Sequence, residues 1–262
     1  MSAALQHAAR EPRRQLRLLS FNIQAGFSIE SYRHYVTKGW QHVLPHPDKR
    51  RNLGEIAGLV SHYDFVALQE ADAGSLRSGF QNQVQYLAEK ADFPFWSHQP
   101  NRKVVKVAEP SNGLLSRFEP SAVIDHRLPG AIPGRGALEV RLGSGGHALR
   151  IFIAHLALTP SGRRRQIAYL TEAIGMHPHV ALMGDLNCTV ESGELKPLFA
   201  HTRIVPPAVE ANTFPSWKPR RAIDHILVSE ALKPLALEVP IVRVSDHLPV
   251  ALTVEIPKSV HL

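Results

Sequence analysis

Short apolar runs recur along this chain at strand length, and run after run closes on Asn, Glu, His or Asp. "LLSFN" stops at Asn22, "FVALQE" at Glu70 and "RIFIAH" at His155, while "VALMGDLN" presents Asp185 and Asn187. "SNGLLS" carries Asn112, "RAIDHILV" carries Asp224, and "VSDHLPVALT" carries Asp246 and His247. Val180–Met183 is short and apolar and is broken by Gly184, the pattern of a buried strand. Residues two apart on an extended chain face one side, so Asp185 and Asn187 would point toward a single place. Each residue alone has an ordinary explanation, since Asp and Asn are common turn residues and a lone His is more often structural. Their recurrence is the constraint, because ligand sites in α/β sheets gather at the carboxyl ends of strands.

The remaining strand expectations are Leu16–Asn22, Phe65–Gln69, Ser111–Leu115, Ala137–Arg141, Leu149–Ala154, Ile223–Val228 and Pro249–Glu255. Two helices stand among them. Leu53, Ile56, Ala57 and Val60 follow helical spacing, with Asp48 expected as N-cap. "TPSGRRRQIAYLTEAIG" offers Thr159 as N-cap, Pro160 at the first helical position, a buried stripe of Ile167, Leu170 and Ile174, and Gly175 as terminator. No repeat or linker divides the chain. Residues 1–14, with Arg10, Arg13 and Arg14, read as a basic disordered tail, and residues 15–262 as a single α/β catalytic domain. The 25–47 segment is irregular and holds Tyr32, Tyr35, Trp40, His34, His42 and His46. A connection of that length is usually functional or structured. His42 and His46 would share a helical face as metal ligands, but Pro45 between them favours loop histidines.

With 44% hydrophobic and 20% charged residues, the 262-residue chain has the composition of a globular protein. No apolar run reaches the roughly 20 residues of a transmembrane helix. Cys188 is the only cysteine, which excludes an intramolecular disulfide and a cysteine-based zinc cluster. The chain therefore reads as cytoplasmic, and as a monomer. Thirty Lys and Arg against 23 Asp and Glu leave a formal charge of +7, which favours an anionic partner: nucleic acid, a phosphorylated metabolite or an anionic membrane surface.

Several carboxylates with a neutral amide make an oxygen-rich site for a hard cation, Mg²⁺ or Mn²⁺. Histidines beside it can move protons or stabilise charge near neutral pH. Together these groups suit hydrolysis of a phosphate ester. The chain lacks the G-x-S-x-G elbow of a Ser-His-Asp hydrolase, and it has no P-loop. Cys188 would serve as a nucleophile only with a His partner, and its carboxylate neighbours make a packed bystander the better reading.

The ordered set "SFN", "LQE", "NGLLS", "RGAL", "AHL", "GDLN", "IDHI" and "SDHLPV" resembles the endonuclease/exonuclease/phosphatase superfamily from about Leu16 to Ile256. The resemblance implies a four-layer α/β sandwich of two stacked mixed β-sheets flanked by helices. It implies metal ligation by Glu70, Asn22 and Asp246, and alignment or deprotonation of the attacking water by Asp185. Asn187 corresponds to the amide that holds a phosphate oxygen. Asp224 and His247 correspond to a hydrogen-bonded pair, and His155 to a second catalytic histidine. Asn112 and Arg135 correspond to phosphate-positioning residues.

The chain departs from the abasic-site repair branch. That branch places Tyr and then Pro where "AHLALTPSG" stands, and an acidic residue where Gln24 stands. The His155 form is that of the deoxyribonuclease, sphingomyelinase and phosphatase branches. The leading expectation is a Mg²⁺-dependent phosphodiesterase acting on DNA. A hydrolase of a phospholipid head group or inositol phosphate is the second reading, and a non-catalytic basic binding module is a remote third.

Overall fold

The computed structural model describes residues 14–24, 47–74, 81–100, 110–130 and 135–262. The basic tail other than Arg14, and the aromatic segment with Tyr32, Tyr35, Trp40, His34, His42 and His46, lie outside the described residues.

In chain order the elements are β1 (Gln15–Asn22), α1 (Pro47–Val60), β2 (Phe65–Asp72), α2 (Gln83–Lys90), β3 (Phe95–Pro100), β4 (Pro110–Ser116), β5 (Pro120–Arg127), β6 (Gly136–Leu142), β7 (Leu149–His155), α3 (Pro160–Ile174), β8 (Val180–Asp185), α4 (Lys196–His201), β9 (Asp224–Val228), β10 (Lys233–Glu238) and β11 (Val250–Glu255). The strands form two sheets, one in the order β10-β11-β1-β2-β4-β3 and the other β5-β6-β7-β8-β9. Each sheet is mixed: β1–β2 and β7–β8 are parallel, and their flanking pairs are antiparallel.

Side-chain alternation turns these sheets into four layers. On β1, Leu16 and Leu18 face a core shared with Leu138, Ile151, Ala181 and Met183 of the second sheet. Leu19 and Phe21, one step out of phase, face Leu53, Ile56 and Val60 of α1 and Val84 and Leu87 of α2. On β8, Val180 and Leu182 turn outward onto Ile167, Leu170 and Ile174 of α3 and Leu198 of α4. The result is helix, sheet, sheet, helix, as the sequence motifs implied.

Helix α3 starts and stops as anticipated. The Thr159 hydroxyl accepts from Gly162 N, Pro160 opens the helix, and Gly175 closes it with φ 55°. Helix α1 corrects an expectation: its described span opens at Pro47, so Asp48 lies within the helix and not at the N-cap position.

The second sheet also buries a polar hub on its outer face. Glu139 accepts from Arg141 Nε at 2.7 Å and Arg150 Nε at 2.8 Å, and its other oxygen lies 2.9 Å from His126 Nε2. Burial alone would raise this carboxyl, but the three hydrogen-bonding partners outweigh it and hold it down at about 2.

Candidate active site

Alternation decides which strand-end side chains meet. On β1 the even positions Leu16 and Leu18 face the inter-sheet core, so Asn22 does as well. On β8 the odd positions Ala181 and Met183 face it, so Asp185 does. The same parity carries His155 of β7 and Asp224 of β9 to this layer. Asn22 and Asp185 close across the two sheets, with Asn22 Nδ2 donating to Asp185 Oδ2 at 3.2 Å. The amide oxygen of Asn22 accepts from Gln24 N.

Glu70 breaks the parity. Strict alternation would send it to the helix side of β2, but its φ is 56° and the β2–β4 register shifts between Leu68 and Ala71. Such a bulge re-aims a side chain, and Glu70 Oε1 comes within 4.0 Å of His155 Nε2. The described non-glycine residues with positive φ are Gln24, Glu70, Asp92 and Asn187, and all but Asp92 flank this site. Backbone strain of this kind collects at functional sites. Gly184, at φ 144°, is required for a different reason: a Cβ there would collide with the carbonyl oxygen of Ala154 on β7.

Around Asp185 the groups converge. Its Oδ2 lies 3.5 Å from His155 Nε2 and 3.8 Å from His247 Nε2. Its Oδ1 accepts from Asn187 N at 2.9 Å, and Asn187 Nδ2 donates to Leu156 O. His247 Nδ1 stands 2.8 Å from Asp224 Oδ2, with Asp246 Oδ1 4.0 Å from the other ring nitrogen. Arg135 leads into β6 and donates from Nη1 to His155 O at 3.1 Å.

Burial and mutual charge tune these groups. Burial, reinforced by Asp224, pushes Asp185 up to about 7. Burial would lower His247, but Asp224, Asp185 and Asp246 together outweigh it and raise the imidazole to about 10. His155 goes the other way, well below the ordinary histidine range, through burial and the charges of Arg135 and His247. The two histidines are thus shifted in opposite directions, His247 toward the charged form and His155 toward the neutral one. Asp246 is also raised, by burial and with a contribution from Glu70.

That crowding of carboxylates is the environment a divalent cation relieves. Asn22, Glu70 and Asp246 carry oxygen atoms of the kind that Mg²⁺ or Mn²⁺ prefers. Among the described residues, Asp185, Asp224 and His247 also gather ligating atoms within 4.8 Å. An ion bound there would have to compete with the His247–Asp224 hydrogen bond.

Asn112 stands apart from the roles expected of it. Its Nδ2 donates to Gly136 O at 2.9 Å and to Gln99 Oε1 at 3.3 Å, which uses both amide hydrogens. Gln99 Nε2 in turn donates to Ala137 O. Asn112 therefore has no free N–H for a phosphate oxygen; it ties β3 and β4 of one sheet to β6 of the other, next to Arg135. Thr213, Ser245 and Phe214 were not anticipated. Thr213 Oγ1 donates to Asp224 Oδ2. Ser245 Oγ donates to Asn22 O at 2.7 Å and accepts from His247 N. The Phe214 ring lies 4.8 Å from that of His247. Ser245 precedes Asp246 in "SDHLPV" and was within reach of the motif, whereas Thr213 and Phe214 sit in an irregular segment with no signal. Cys188 is buried, and burial, with the charge of Glu194, pushes its thiol up to about 12, which leaves it an inert packing residue.

A family model described as Endonuclease/Exonuclease/phosphatase family matches residues 19–247. No curated protein matches the chain. Among solved structures, an endonuclease/exonuclease/phosphatase from Beutenbergia cavernae DSM 12333 superposes with a TM-score of 0.70 at 19% identity, covering 94% of this chain and 73% of its own. A humanized TDP2 from D. rerio carrying 14 mutations gives 0.65 at 16% identity, over 93% and 100% of the two chains. Sphingomyelinase C from Streptomyces griseocarneus gives 0.60 at 18% identity, over 91% and 99%.

Proposed function

The chain belongs to the endonuclease/exonuclease/phosphatase family, whose members are phosphoric ester hydrolases, and from that premise we propose that it is a divalent-metal-dependent phosphodiesterase whose substrate is DNA. The observation that carries this reading is the convergence of His155 and His247 on one buried carboxylate oxygen of Asp185, at 3.5 and 3.8 Å.

Asp185, with its affinity for protons raised to near neutrality, aligns the attacking water and accepts its proton. Asp224 holds His247 through Nδ1 and so fixes which face of the ring meets the substrate. The protonated His247 stabilises charge on the phosphoryl oxygens. His155, kept neutral, and the free amide hydrogen of Asn187 orient the phosphate, with the Arg135 guanidinium beside them. Asn22, Glu70 and Asp246 would hold Mg²⁺ or Mn²⁺, which neutralises phosphoryl charge when bound. Asn112 acts as frame.

A basic rim supports a polyanionic substrate. Arg164 and Arg165 follow β7 in the first turns of α3, and Lys218, Arg220 and Arg221 precede β9, which runs antiparallel to β8. All five are exposed and belong to the end of the second sheet that carries Asp185 and His155. Leu158, 72% exposed in the same β7–α3 connection, is the observation that favours the second reading, a lipid or inositol phosphate substrate.

Salt dependence of binding separates the two. On duplex DNA the logarithm of affinity should fall by about 0.9 per neutralised phosphate for each decade of salt, giving a steep slope that flattens when Lys218, Arg220 and Arg221 are replaced by Ala. A shallow slope, no DNA cleavage in Mg²⁺ or Mn²⁺, and release of a head group or phosphate from a lipid or inositol substrate would transfer the assignment to the second reading.

A further inference from the structure

One arginine joins the two connections that leave the strand ends of the site. Arg163 stands near the start of α3, and Glu194 lies between β8 and α4. Their side chains are 10% and 8% exposed. Arg163 Nε donates to Glu194 Oε2 at 2.7 Å, and Nη2 donates to Oε1 at 3.2 Å. Nη1 donates to the carbonyl oxygens of Leu158 at 2.7 Å and Ala157 at 3.3 Å. One guanidinium thus holds the β7–α3 connection, which follows His155, to the β8–α4 connection, which follows Asp185.

Leu156 carries this grip to the site. Its N–H donates to Asp185 O at 2.9 Å, and its carbonyl accepts from Asn187 Nδ2 at 3.0 Å. It is flanked by His155 and by Ala157, whose N–H donates to Gln166 Oε1 of α3 at 2.7 Å. The helix start is seated tightly here: a Cβ on Gly162 would stand 2.8 Å from that of Ala157. A displacement of Ala157 would therefore pass through one residue to His155 and to the Asn187 amide. A buried ion pair is a poor source of net stability, because well-packed apolar groups often replace it without loss. What this one supplies is geometry, since the planar fork of arginine binds a carboxylate and two carbonyls at once.

We propose that Arg163 is a positioning residue of the active site. Paired with Glu194, it fixes the β7–α3 connection and so sets His155 and the Asn187 amide against Asp185. Its effect on turnover rests on the phosphodiesterase reading; its effect on Leu156 does not. Lysine would keep the attraction to Glu194 but has no fork to span both connections.

The test uses two variants of the full chain. Arg163→Met combined with Glu194→Leu replaces the ion pair by apolar groups, and the Ala157 and Leu158 carbonyls, on a half-buried to exposed turn, turn to water. Arg163→Lys keeps the charge and loses the fork. Amide hydrogen exchange followed by NMR should show Leu156 and Ala157 exchanging at least about tenfold faster in both, with Ile151 of β7 and Leu182 of β8 unchanged. Against bis(p-nitrophenyl) phosphate in Mg²⁺, kcat should fall about 10- to 100-fold at nearly constant KM, the signature of misplaced groups. Unchanged protection of Leu156 and Ala157 in both variants, or faster exchange with kcat unaltered, would overturn the proposal. Protection lost at Ile151 and Leu182 as well would overturn it too, by assigning Arg163 to the fold as a whole. A wild-type chain inert toward phosphodiesters, with local exchange still faster in the variants, would uphold the anchoring of Leu156 and sink the phosphodiesterase reading instead.

Discussion

His247 Nδ1 and Asp224 Oδ2 stand 2.8 Å apart, and Thr213 Oγ1 donates to the same carboxylate oxygen. The carboxylate is thereby fixed from two directions, and the imidazole can present only Nε2 toward Asp185.

His247→Ala and Asp224→Asn should each lower kcat by about 10²- to 10⁴-fold, the range of a positioned acid–base group. Because one side chain acts through the other, the double variant should lose little more than the worse single one. Steady-state kinetics of the four proteins check this, and additive losses would show two independent groups.

Glu70 reaches the site only through a bulge and a left-handed backbone, geometry that a structural surface carboxylate has no use for. Glu70→Gln should retain the fold and lose at least 100-fold in turnover, with a raised Mg²⁺ requirement; the magnitude follows loss of a metal-side charge contact. Mg²⁺ titrations of both proteins decide it, and full turnover in excess chelator would contradict the metal's role.

Arg135 bonds the carbonyl of His155 through Nη1, and the rest of its guanidinium is available for paired bonds to phosphate. Arg135→Ala should lower kcat/KM by roughly 100-fold, with a melting temperature within about 3 °C of wild type. A large fall in melting temperature with normal kinetics would assign Arg135 to the fold instead.

The outer face of the second sheet predicts acid sensitivity. Glu139 is held at about 2 in the folded protein, against an ordinary value near 4.3 when unfolded. A depressed carboxyl stabilises the fold above the unfolded value and loses that contribution as pH falls from about 4.5 toward 2. The loss should amount to about 3 kcal/mol. Denaturant unfolding at pH 6 and pH 3 should show rather more than half of this loss, about 1.7 kcal/mol, and Glu139→Gln should remove much of it while destabilising the protein at pH 6.

Much of this site was legible because period-two alternation holds along every strand that carries it except at the Glu70 bulge. Once "LLSFN" and "VALMGD" are strands with buried faces, Asn22 and Asp185 must share the inter-sheet layer. The edge strands were not legible. β5 alternates half-buried and exposed positions, and β10 is exposed throughout, so neither carries a continuous apolar signal. Helix α2 has its cap in Asn82 and its stripe in Val84, Leu87 and Ala88, but eight residues are too few for a persuasive period. Local sequence also gave no means of seeing that Asn112 uses its amide between sheets, because Gln99 and Gly136 are distant in the chain.

The most direct measurement is cleavage of an end-labelled DNA duplex in Mg²⁺ by the wild-type chain and by Asp185→Asn, with a chelator control. Metal-dependent cleavage that falls by at least about 10³-fold in Asp185→Asn is the predicted result. Cleavage at the wild-type rate by Asp185→Asn, or no hydrolysis of DNA, phospholipid or inositol phosphate by the wild-type chain, would contradict the assignment.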